Sequence, residues 1–420
     1  MSRSKFSRRK FLAASAATAA ATTALTLPAS AQPIGANERI NIGLIGTGGR
    51  CRALMAALAR VPNTRMTALC DVYDANLELA QKLADANAFT TRDYSALLAR
   101  RDIHAVLIAS PDHWHTPMTI DAMAAGKDVY VEKPLTHKMR EGALITEALA
   151  KHRRIVQVGT QQRSMPHIIR ARELIRDGRI GTVHKVRMAW NRNSDRVRRG
   201  PQNVDSKRLD WKRFLGNAPM QDFDDYKFRN WRWFWDFGNG ILTDLMVHWL
   251  DVAHWVLDAD HPERAVTTGN FNTARDVWQT PDTIQTILSY APTAAQAKAG
   301  HGGVQMYFEG TFCNARQGAM IEFMGTEGTM YIDRGRFELI PEPRFMKNKP
   351  DEMILNKDLP RGRDFYPNPD GELLHLQNWI DAIRNQRQPS APISAGVSAA
   401  AAAHLGNEAY RQNRVAVWGK

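Results

Sequence analysis

A glycine-rich turn between an apolar strand and a helix constrains the fold of this chain more than any other feature. The turn runs from Gly46 to Cys51 (GTGGRC), after a compact apolar strand at 39–45 and before a helical pattern at 52–60. Gly46 permits a tight turn, Gly48 lets the backbone approach a pyrophosphate, and Gly49 is a further candidate for cofactor binding. The helix N-terminus offers unpaired N–H groups to the phosphates. The sequence therefore predicts a dinucleotide-binding turn.

An acid at the end of the next strand supports this prediction. Asp71 lies 25 residues beyond Gly46 and follows the strand predicted at 66–70. A carboxylate there accepts hydrogen bonds from the adenosine ribose hydroxyls and repels the 2′-phosphate of NADP. We expect NAD as the cofactor, and NADP stays open because Arg50 partly offsets this repulsion.

The remaining pattern predicts two domains. Strands and helices alternate up to residue 158, with strands at 105–109, 129–131 and 155–158 and helices at 77–86 and 119–125. This alternation indicates a doubly wound parallel Rossmann sheet. Short alternating strands follow at 284–290, 305–311, 319–323 and 330–332, then an unstructured stretch at 341–369 and two helices at 371–385 and 394–412. We expect a Rossmann domain at 37–160 and, at 161–420, an α+β substrate-binding and dimerisation domain with a largely antiparallel open sheet.

The N-terminal residues predict export. Arg8 and Arg9 precede an Ala-rich apolar stretch that ends at Ala29-Ser30-Ala31, which is typical of a twin-arginine signal peptide. A membrane anchor is the alternative, but residues 11–27 are short and rich in Ala and Thr. We expect cleavage after Ala31, a periplasmic or otherwise exported protein, and no membrane span.

The charge of the chain does not favour a nucleic-acid partner. Five of the 13 net positive charges lie in the signal segment, which leaves the mature chain near +8. The other basic residues are scattered apart from one cluster, Arg192, Arg196, Arg198 and Arg199. A solvated face is the favoured interpretation of this cluster, and an anionic surface or acidic glycan stays open.

The three cysteines do not form a disulfide framework. Cys51 and Cys70 fall within the predicted βαβ unit, and Cys313 is the third. We expect three thiols. This agrees with an export route that carries proteins folded in the cytoplasm, commonly with a cofactor already bound.

A helical segment after Gly238 carries an acid and a histidine four residues apart. Asp244 and His248 share a helical face at this spacing, so the carboxylate could orient the imidazole and raise its basicity. Such a histidine suits acid/base chemistry near neutral pH. The alternative is an acid at a helix N-terminus beside a satisfied core histidine. Asp251 and His254 are interpreted as structural.

Two other groups of residues invite a ligand. His113 and His115 lack a carboxylate or thiol at ligand spacing, so we expect no metal. The run 230–237 contains five aromatic residues, and Trp235 is a candidate for a carbohydrate platform. Most of these rings could equally fill the core.

Several motifs in a fixed order resemble the Gfo/Idh/MocA family of oxidoreductases. The motifs are SPDHWHTP at 110–117, EKP at 132–134, GTQQR at 159–163, the segment 238–255 and HLGN at 404–407. The resemblance covers nearly the whole mature chain. It implies that the Glu132-Lys133-Pro134 turn places Lys133 beside the nicotinamide, where it hydrogen-bonds the reacting hydroxyl, and that the proline is often cis.

The resemblance also implies roles for other residues. Asp244 and His248 match the family's Asp-x-x-x-His signature, with the histidine as acid/base. His115 would shape the nicotinamide pocket, and Gln161 and Arg163 would contact the substrate. The implied oligomer is a homodimer or homotetramer.

Three hypotheses follow for function. The first is hydride transfer between tightly held NAD and a hydroxyl or keto carbon of a sugar, glycoside or cyclitol. The second is an NAD-dependent glycosidase that oxidises the ring, eliminates the aglycone and reduces the ring again. The third, a cofactor-bound sensor without turnover, would be expected to lack the lysine and the Asp-x-x-x-His pair.

Overall fold

The computed structural model describes residues 39–193, 196–292, 294–345 and 350–419. The predicted signal peptide, 1–31, lies outside the described residues.

The first sheet has six parallel strands in the order β3-β2-β1-β4-β5-β6. These strands are β1 (Ile40–Ile45), β2 (Thr64–Cys70), β3 (Phe89–Thr91), β4 (Ala105–Ile108), β5 (Asp128–Val131) and β6 (Val156–Val158). The helices between them are α1 (Gly49–Leu58), α2 (Asp74–Gln81), α3 (Tyr94–Leu98), α4 (Asp112–Ala124) and α5 (Glu141–His152). The strand order reverses between β1 and β4, which is where open α/β sheets bind ligands.

Both faces of this sheet are buried, which explains its continuous apolar strands. Leu44 and Leu107 belong to the core on one face, and Ile45 and Ile108 belong to the core on the other. Side chains alternate between faces along a strand, so a strand buried on both sides must be apolar at every position.

The second sheet has nine strands in the order β14-β13-β12-β11-β7-β10-β9-β8-β15. Its strands are β7 (Val183–Asn191), β8 (Arg264–Asn270), β9 (Thr283–Ser289), β10 (Gln305–Thr311), β11 (Ala319–Gly325), β12 (Gly328–Ile332), β13 (Arg336–Pro341), β14 (Asp351–Ile354) and β15 (Ala416–Val417). All neighbours are antiparallel except β7 and β10. The predicted fold class, a Rossmann sheet followed by a largely antiparallel sheet, is confirmed.

Helices of the second half flank both sheets. They are α6 (Pro166–Arg176), α7 (Trp211–Leu215), α8 (Asp225–Arg229), α9 (Val247–Leu257), α10 (Ala294–Lys298), α11 (Gly371–Arg384) and α12 (Ile393–Gln412). Trp379 of α11 is buried in the same core as Leu44 of the first sheet. This helix therefore completes the Rossmann half from a distant part of the chain, and the expected boundary at 160/161 stays a prediction.

Local structure differs from the sequence predictions in three places. Helix α4 begins at Asp112, seven residues before the predicted start at 119, because Pro111 is extended and Pro117 is tolerated inside the helix. The segment 341–369 is not wholly unstructured, since it contains β14. Residues Leu242–Met246, predicted as α-helix, form a π-helical turn that continues into α9.

Two further expectations concern the described residues as a whole. Within them, no helix is both long and apolar enough to cross a bilayer. Cys51 and Cys70 are buried thiols and Cys313 is a partly buried one, as expected.

Candidate active site

The glycine turn after β1 has the geometry that a pyrophosphate site needs. Gly46 has φ +80°, and a Cβ there would lie 2.6 Å from the backbone nitrogen of Ser110. At Gly48 and Gly49, by contrast, a Cβ would meet nothing within 4 Å. Gly46 therefore lets the chain turn close to the end of β4, whereas Gly48 and Gly49 keep the space in front of α1 open. The turn fits a dinucleotide phosphate approaching the N-terminus of α1.

Asp71 lies at the end of β2, in the position expected for ribose recognition. It is buried, and its carboxylate accepts hydrogen bonds from the backbone N–H of Tyr73 (2.9 Å), from Asn76 Nδ2 (3.2 Å) and from Thr47 Oγ1 (3.3 Å). Burial raises the pKa of Asp71 to about 6, against the effect of these hydrogen bonds. The carboxylate is thus held in one orientation and is ionised at neutral pH.

An open cleft of about 1450 Å³ joins these features. Gly46, Gly48, Gly49 and Asp71 line it on one side, and Trp114, Phe214 and Trp231 are among the aromatic residues along it. The cleft follows the carboxyl ends of β1, β2 and β4, which is where open α/β sheets bind dinucleotides.

Arg50 does not stand free beside Asp71. Its guanidinium pairs with Glu132, at an Nε–Oε1 distance of 2.8 Å, and with Glu372 of α11. Two carboxylates therefore already neutralise the Arg50 cation. Arg50 compensates less than expected for the negative charge of Asp71, which repels the 2′-phosphate of NADP.

A second cavity, of about 700 Å³, opens from the same region. Arg50, Ser110, Trp231 and Arg232 are among the residues that line both spaces. Lys133 also lines the second cavity, and the Lys133–Pro134 peptide bond is cis. The cavity is therefore the place where a substrate would meet the end of a cofactor bound in the cleft.

Lys133 and Asp244 form a buried ion pair in this cavity. Lys133 Nζ lies 2.9 Å from Asp244 Oδ1 and donates a second hydrogen bond to the Asp244 carbonyl oxygen at 2.7 Å. Arg232 Nε adds a contact of 3.3 Å to the same carboxylate oxygen. Although burial favours the neutral acid, Lys133, Arg232 and Arg196 hold the pKa of Asp244 well below its usual range. Asp244 is a fixed anion.

His248 is oriented by Gln162 rather than by Asp244, which corrects the sequence prediction. Its Nδ1 lies 3.2 Å from Gln162 Oε1, whereas the Asp244 carboxylate bonds Lys133. The π-helical turn at Leu242–Met246 changes the residue spacing, so the two residues do not stack as in an α-helix. Burial, Lys133 and Arg334 also hold the pKa of His248 well below its ordinary value, not near neutrality.

His115 ties together the two loops that border the cavity. It is buried, and its ring nitrogens lie 2.7 Å from the Pro134 carbonyl oxygen and 2.9 Å from that of Ser110. Burial lowers the pKa of His115, against the effect of these two carbonyl oxygens. His115 lines the cavity, as the predicted pocket-shaping role requires.

The three predicted substrate contacts have different positions. Gln161 lines the cavity. Arg163 instead forms a buried ion pair with Asp251, with Nε 2.8 Å from Oδ2, and lies outside the cavity lining. Trp235 also lies outside it, with Nε1 donating to the Gln279 carbonyl oxygen at 3.1 Å.

The aromatic run contributes to the cavity through a different residue. Trp231 lines both spaces, whereas Trp233, Phe234 and Phe237 are buried in the core. The order of the rings in the sequence carries no indication of which one faces the site, because a 3₁₀ turn at Trp231–Trp233 sets their directions.

The arginine cluster is divided between the cavity and the surface. Arg192 and Arg196 line the cavity, and only Arg198 and Arg199 are exposed. The expected solvated face is therefore wrong for the first two. Trp190, at the end of β7, and Arg334, just after β12, also line the cavity without having been predicted. Their strands are remote in sequence from the glycine turn, so no local pattern marks them.

A metal centre has no basis in the described residues. They contain no cluster of three or more His, Cys, Asp or Glu side chains that could hold an ion. His113 packs against Phe237 and Phe214 instead, and its Nε2 lies 2.9 Å from the Phe214 carbonyl oxygen.

Comparisons with protein families match both halves of the chain to Gfo/Idh/MocA domains. The family described as "Oxidoreductase family, NAD-binding Rossmann fold" matches residues 40–160. The family described as "Oxidoreductase family, C-terminal alpha/beta domain" matches residues 172–417.

Three curated relatives illustrate the range of the similarity. The uncharacterized oxidoreductase YrbE of Bacillus subtilis is 29% identical over 335 residues, which cover 76% of this chain and 82% of that protein. An inositol 2-dehydrogenase of Rubrobacter xylanophilus is 32% identical over 163 residues, 38% of this chain and 46% of the relative. A glycosyl hydrolase family 109 protein of Saccharopolyspora erythraea is 33% identical over 157 residues, 35% of this chain and 34% of the relative. The last two matches span less than half of those relatives.

A solved structure shares the fold over nearly the whole chain. A levoglucosan dehydrogenase in complex with NADH and levoglucosan superposes with a TM-score of 0.67 at 20% sequence identity, covering 91% of this chain and 100% of that chain.

Proposed function

Since this chain belongs to the Gfo/Idh/MocA oxidoreductase family and has its NAD-binding Rossmann domain, we propose that it oxidises or reduces a sugar, glycoside or cyclitol at one hydroxyl-bearing carbon. When bound, NAD accepts a hydride from the alcohol carbon or returns it to the carbonyl carbon. The observation that carries the proposal is that Lys133, Asp244 and His248 line one cavity beside the dinucleotide cleft.

Lys133 is proposed to bind the reacting oxygen. An ammonium group has three N–H donors, and Asp244 accepts two of them, one at its carbonyl and one at its carboxylate. The remaining donor is available to the substrate oxygen, whose developing negative charge it stabilises during oxidation. Asp244 is a positioning residue, since it fixes the direction of that donor.

His248 is proposed to take the hydroxyl proton. Gln162 Oε1 is an acceptor, so His248 Nδ1 carries the hydrogen and Nε2 keeps a lone pair. The lowered pKa keeps the ring neutral at pH 7, which is the form that a base requires. In the reverse direction the protonated ring would return the proton to the alkoxide.

A carbohydrate or cyclitol substrate is supported by the lining of the cavity. Trp190 and Trp231 contribute aromatic surface to the lining, and Gln161 and Arg232 offer polar contacts. The names of the inositol and levoglucosan dehydrogenases among the similar proteins agree with this class.

Absorbance at the NADH band tests the proposal directly. The purified protein, with its cofactor oxidised, is mixed with a panel of sugars, glycosides and cyclitols. We expect at least one of them to generate NADH absorbance, and the corresponding ketone to discharge it. A protein that changes the redox state of NAD with no member of either panel would contradict the proposal.

A redox-neutral glycosidase is the second candidate. It is supported by the similarity to the glycosyl hydrolase family 109 protein, and the same lysine and histidine would serve it. A 4-nitrophenyl glycoside separates the two candidates. Release of nitrophenol without net NADH formation supports cleavage, whereas stoichiometric NADH supports a dehydrogenase.

Export with retained cofactor completes the proposal. The twin-arginine pattern of residues 1–31 suits a protein that folds before transport, and an exported protein has no free NAD pool around it. We expect exported protein to begin at Gln32 and to carry about one NAD per chain. Each catalytic cycle would return the bound NAD to its starting redox state, either through a second substrate or because the reaction is redox-neutral. N-terminal sequencing and mass spectrometry of the denatured exported fraction test both points.

A homodimer or homotetramer is part of the same proposal. The nine-stranded sheet exposes apolar side chains at Val266 and Ile287 of neighbouring strands, a feature that a second copy would cover. Light scattering coupled to gel filtration measures the mass, and a monomer at micromolar concentration would contradict this part.

A further inference from the structure

The cavity around Lys133 contains more positive than negative side chains. Six cationic residues line it, Arg50, Lys133, Arg192, Arg196, Arg232 and Arg334, against three acids, Asp112, Glu132 and Asp244. Most of the cations have carboxylate partners: Arg50 pairs with Glu132, Lys133 and Arg232 pair with Asp244, and Arg192 pairs with Asp364. Arg196 and Arg334 are the lining cations that have no carboxylate within ion-pair distance among the described residues.

Arg334 is the more deeply buried of the two. Only 5% of its surface is exposed, and its guanidinium carbon lies 4.8 Å from the ring centre of Trp190 and 5.6 Å from that of Phe365. Nη1 donates to the Asp364 carbonyl oxygen at 2.9 Å, whereas Nε has no hydrogen-bond partner in the described part of the chain. The side chain thus lies within cation–π distance of two rings and has an unsatisfied donor.

Such an arrangement is costly for folding. Burial lowers the pKa of Arg334 to about 10, so the group is still cationic at neutral pH. A buried cation that pairs directly with no carboxylate is unfavourable for folding. The aromatic faces of Trp190 and Phe365 offset part of this cost. A ligand anion would offset the rest.

Other unsatisfied polar atoms border the same cavity. Trp190 Nε1 and Gln161 Oε1 are buried and lack hydrogen-bond partners within the described residues. A sugar presents hydroxyl groups that satisfy both a donor and an acceptor of this kind. The unsatisfied atoms therefore suit a polar ligand that carries both hydroxyl groups and a negative charge.

We propose that the substrate is an acidic sugar or its glycoside, and that Arg334, together with Arg196 of the same cavity lining, binds the sugar carboxylate while Lys133 and His248 act on a hydroxyl of the same ring. This inference rests on the proposed function, because it names the substrate class of the same site. A planar guanidinium matches a carboxylate with paired hydrogen bonds, and Arg334 is pre-positioned by its two rings.

The test compares two substrates that differ only at one carbon. 4-Nitrophenyl β-D-glucuronide has a carboxylate where 4-nitrophenyl β-D-glucoside has a hydroxymethyl group. Binding to the holoprotein is measured by calorimetry, and turnover by NADH absorbance and nitrophenol release. The variant is Arg334→Met, and Arg176→Met is the matched control, because Arg176 is exposed, pairs with Asp258 and is not among the cavity-lining residues.

We expect the wild type to prefer the glucuronide by about a hundredfold in affinity or in kcat/KM, because a charge-assisted contact is lost with the glucoside. Arg334→Met should abolish this preference, so that the ratio of glucuronide to glucoside values falls to about one, and Arg176→Met should keep the preference. If Arg334→Met does not fold, Arg196→Met is tested in the same way, and we expect it to lose part of the preference for the glucuronide.

The remaining outcomes separate this inference from the proposed function. Turnover of the glucoside equal to that of the glucuronide would overturn the inference and leave the proposed function standing. Arg334-dependent binding of the glucuronide without turnover would support the inference and contradict the proposed function for these sugars. Absence of selective glucuronide binding by calorimetry would overturn the inference.

Discussion

Lys133 and Asp244, 111 residues apart in the chain, meet in an ion pair with an Nζ–Oδ1 distance of 2.9 Å. Lys133 follows β5 of the Rossmann sheet, and Asp244 lies in the π-helical turn before α9. Their side chains are only 13% and 11% exposed. The pair therefore joins the two halves of the fold at the point where we place the reacting hydroxyl, and each half supplies one member.

Lys133→Met should lower kcat on the order of a hundredfold or more, because it removes the cation beside the reacting oxygen. Met keeps most of the length of the side chain, and Arg232 still contacts the Asp244 carboxylate, so we expect the protein to fold. Lys138→Met is the control, since Lys138 is exposed five residues further on. Steady-state kinetics give kcat for both variants. A kcat of Lys133→Met close to that of the wild type would show that Lys133 has no role in the mechanism.

His248→Asn should lower turnover by a similar factor, on the order of a hundredfold, because it removes the proposed base. In the wild type, kcat should stay level from pH 8 to pH 6.5 and fall only at lower pH, since the pKa of His248 is held well below 6.5 by burial and by Lys133 and Arg334. Protonation of the ring at low pH abolishes its function as a base. A pH–rate profile with a half-maximal point at or above pH 6.5, or one that is the same in His248→Asn, would assign the proton transfer to another group.

Retention of NAD should weaken as the pH falls below 6. The pKa of Asp71 is raised to about 6 by burial, so this carboxylate becomes protonated just below neutrality and accepts ribose hydrogen bonds less well. At pH 5 we expect about a tenfold weaker affinity than at pH 8, as follows from one protonation with this pKa. Gel filtration at pH 5 to 8, followed by quantification of bound NAD, measures the effect. Asp71→Ala should lose the cofactor at every pH, whereas Asp177→Asn, at an exposed acid outside the cleft lining, should behave like the wild type.

Stability should also fall in mild acid, through a separate set of groups. Burial is the first cause that lowers the pKa of five histidines, to about 3 for His113 and His254 and to about 4 for His137, His375 and His404. In the unfolded chain they titrate near 6.5, so below that pH the unfolded state binds more protons and is favoured, by up to roughly 1.4 kcal/mol per pH unit for each histidine. Asp71, Asp112, Asp128 and Asp251, whose pKa values are raised by burial, act in the opposite direction as the pH falls, but they are fewer than the histidines.

Thermal unfolding at pH 7, 6 and 5 measures this dependence. We expect Tm to fall at each step, and His404→Gln to reduce the fall because one buried imidazole is removed. His184→Gln, at an exposed histidine of β7, is the matched control and should unfold like the wild type. A Tm that is constant or rises toward pH 5 would contradict the assignment of these rings as neutral.

The features that sequence analysis predicted are those that depend on neighbours in the chain. The turn at Gly46 and the acid at Asp71 occupy one βαβ unit, so their spacing alone indicates how they meet. The contacts of His248 could not be predicted, because a π-helical turn shifts it from Asp244 toward Gln162. Arg334 was missed for a related reason, since the strands of the second sheet bring it to the cavity from more than 200 residues beyond the Lys133 loop. Arg163 and Trp235 were assigned from short motifs that do not show which way a side chain points.

Two alanine substitutions in one turn should separate folding from cofactor binding. Gly46→Ala should destabilise the protein by at least about 2 kcal/mol, because a positive φ and close backbone contact are both unfavourable for a Cβ. Here φ is +80° and the Cβ would lie 2.6 Å from the Ser110 backbone nitrogen. Gly48→Ala should leave stability of the NAD-free protein unchanged, since a Cβ there meets nothing within 4 Å and φ is −63°.

The added methyl group at Gly48 nevertheless occupies the space in front of α1 where a pyrophosphate would approach, so we expect NAD affinity to fall on the order of a hundredfold. Denaturant unfolding gives the stability of each variant, and quantification of bound NAD gives its affinity for the cofactor. If Gly48→Ala protein retains NAD as well as the wild type does, the phosphates do not bind at this turn. The orientation of the nicotinamide toward Lys133, which depends on that position, would then be wrong as well.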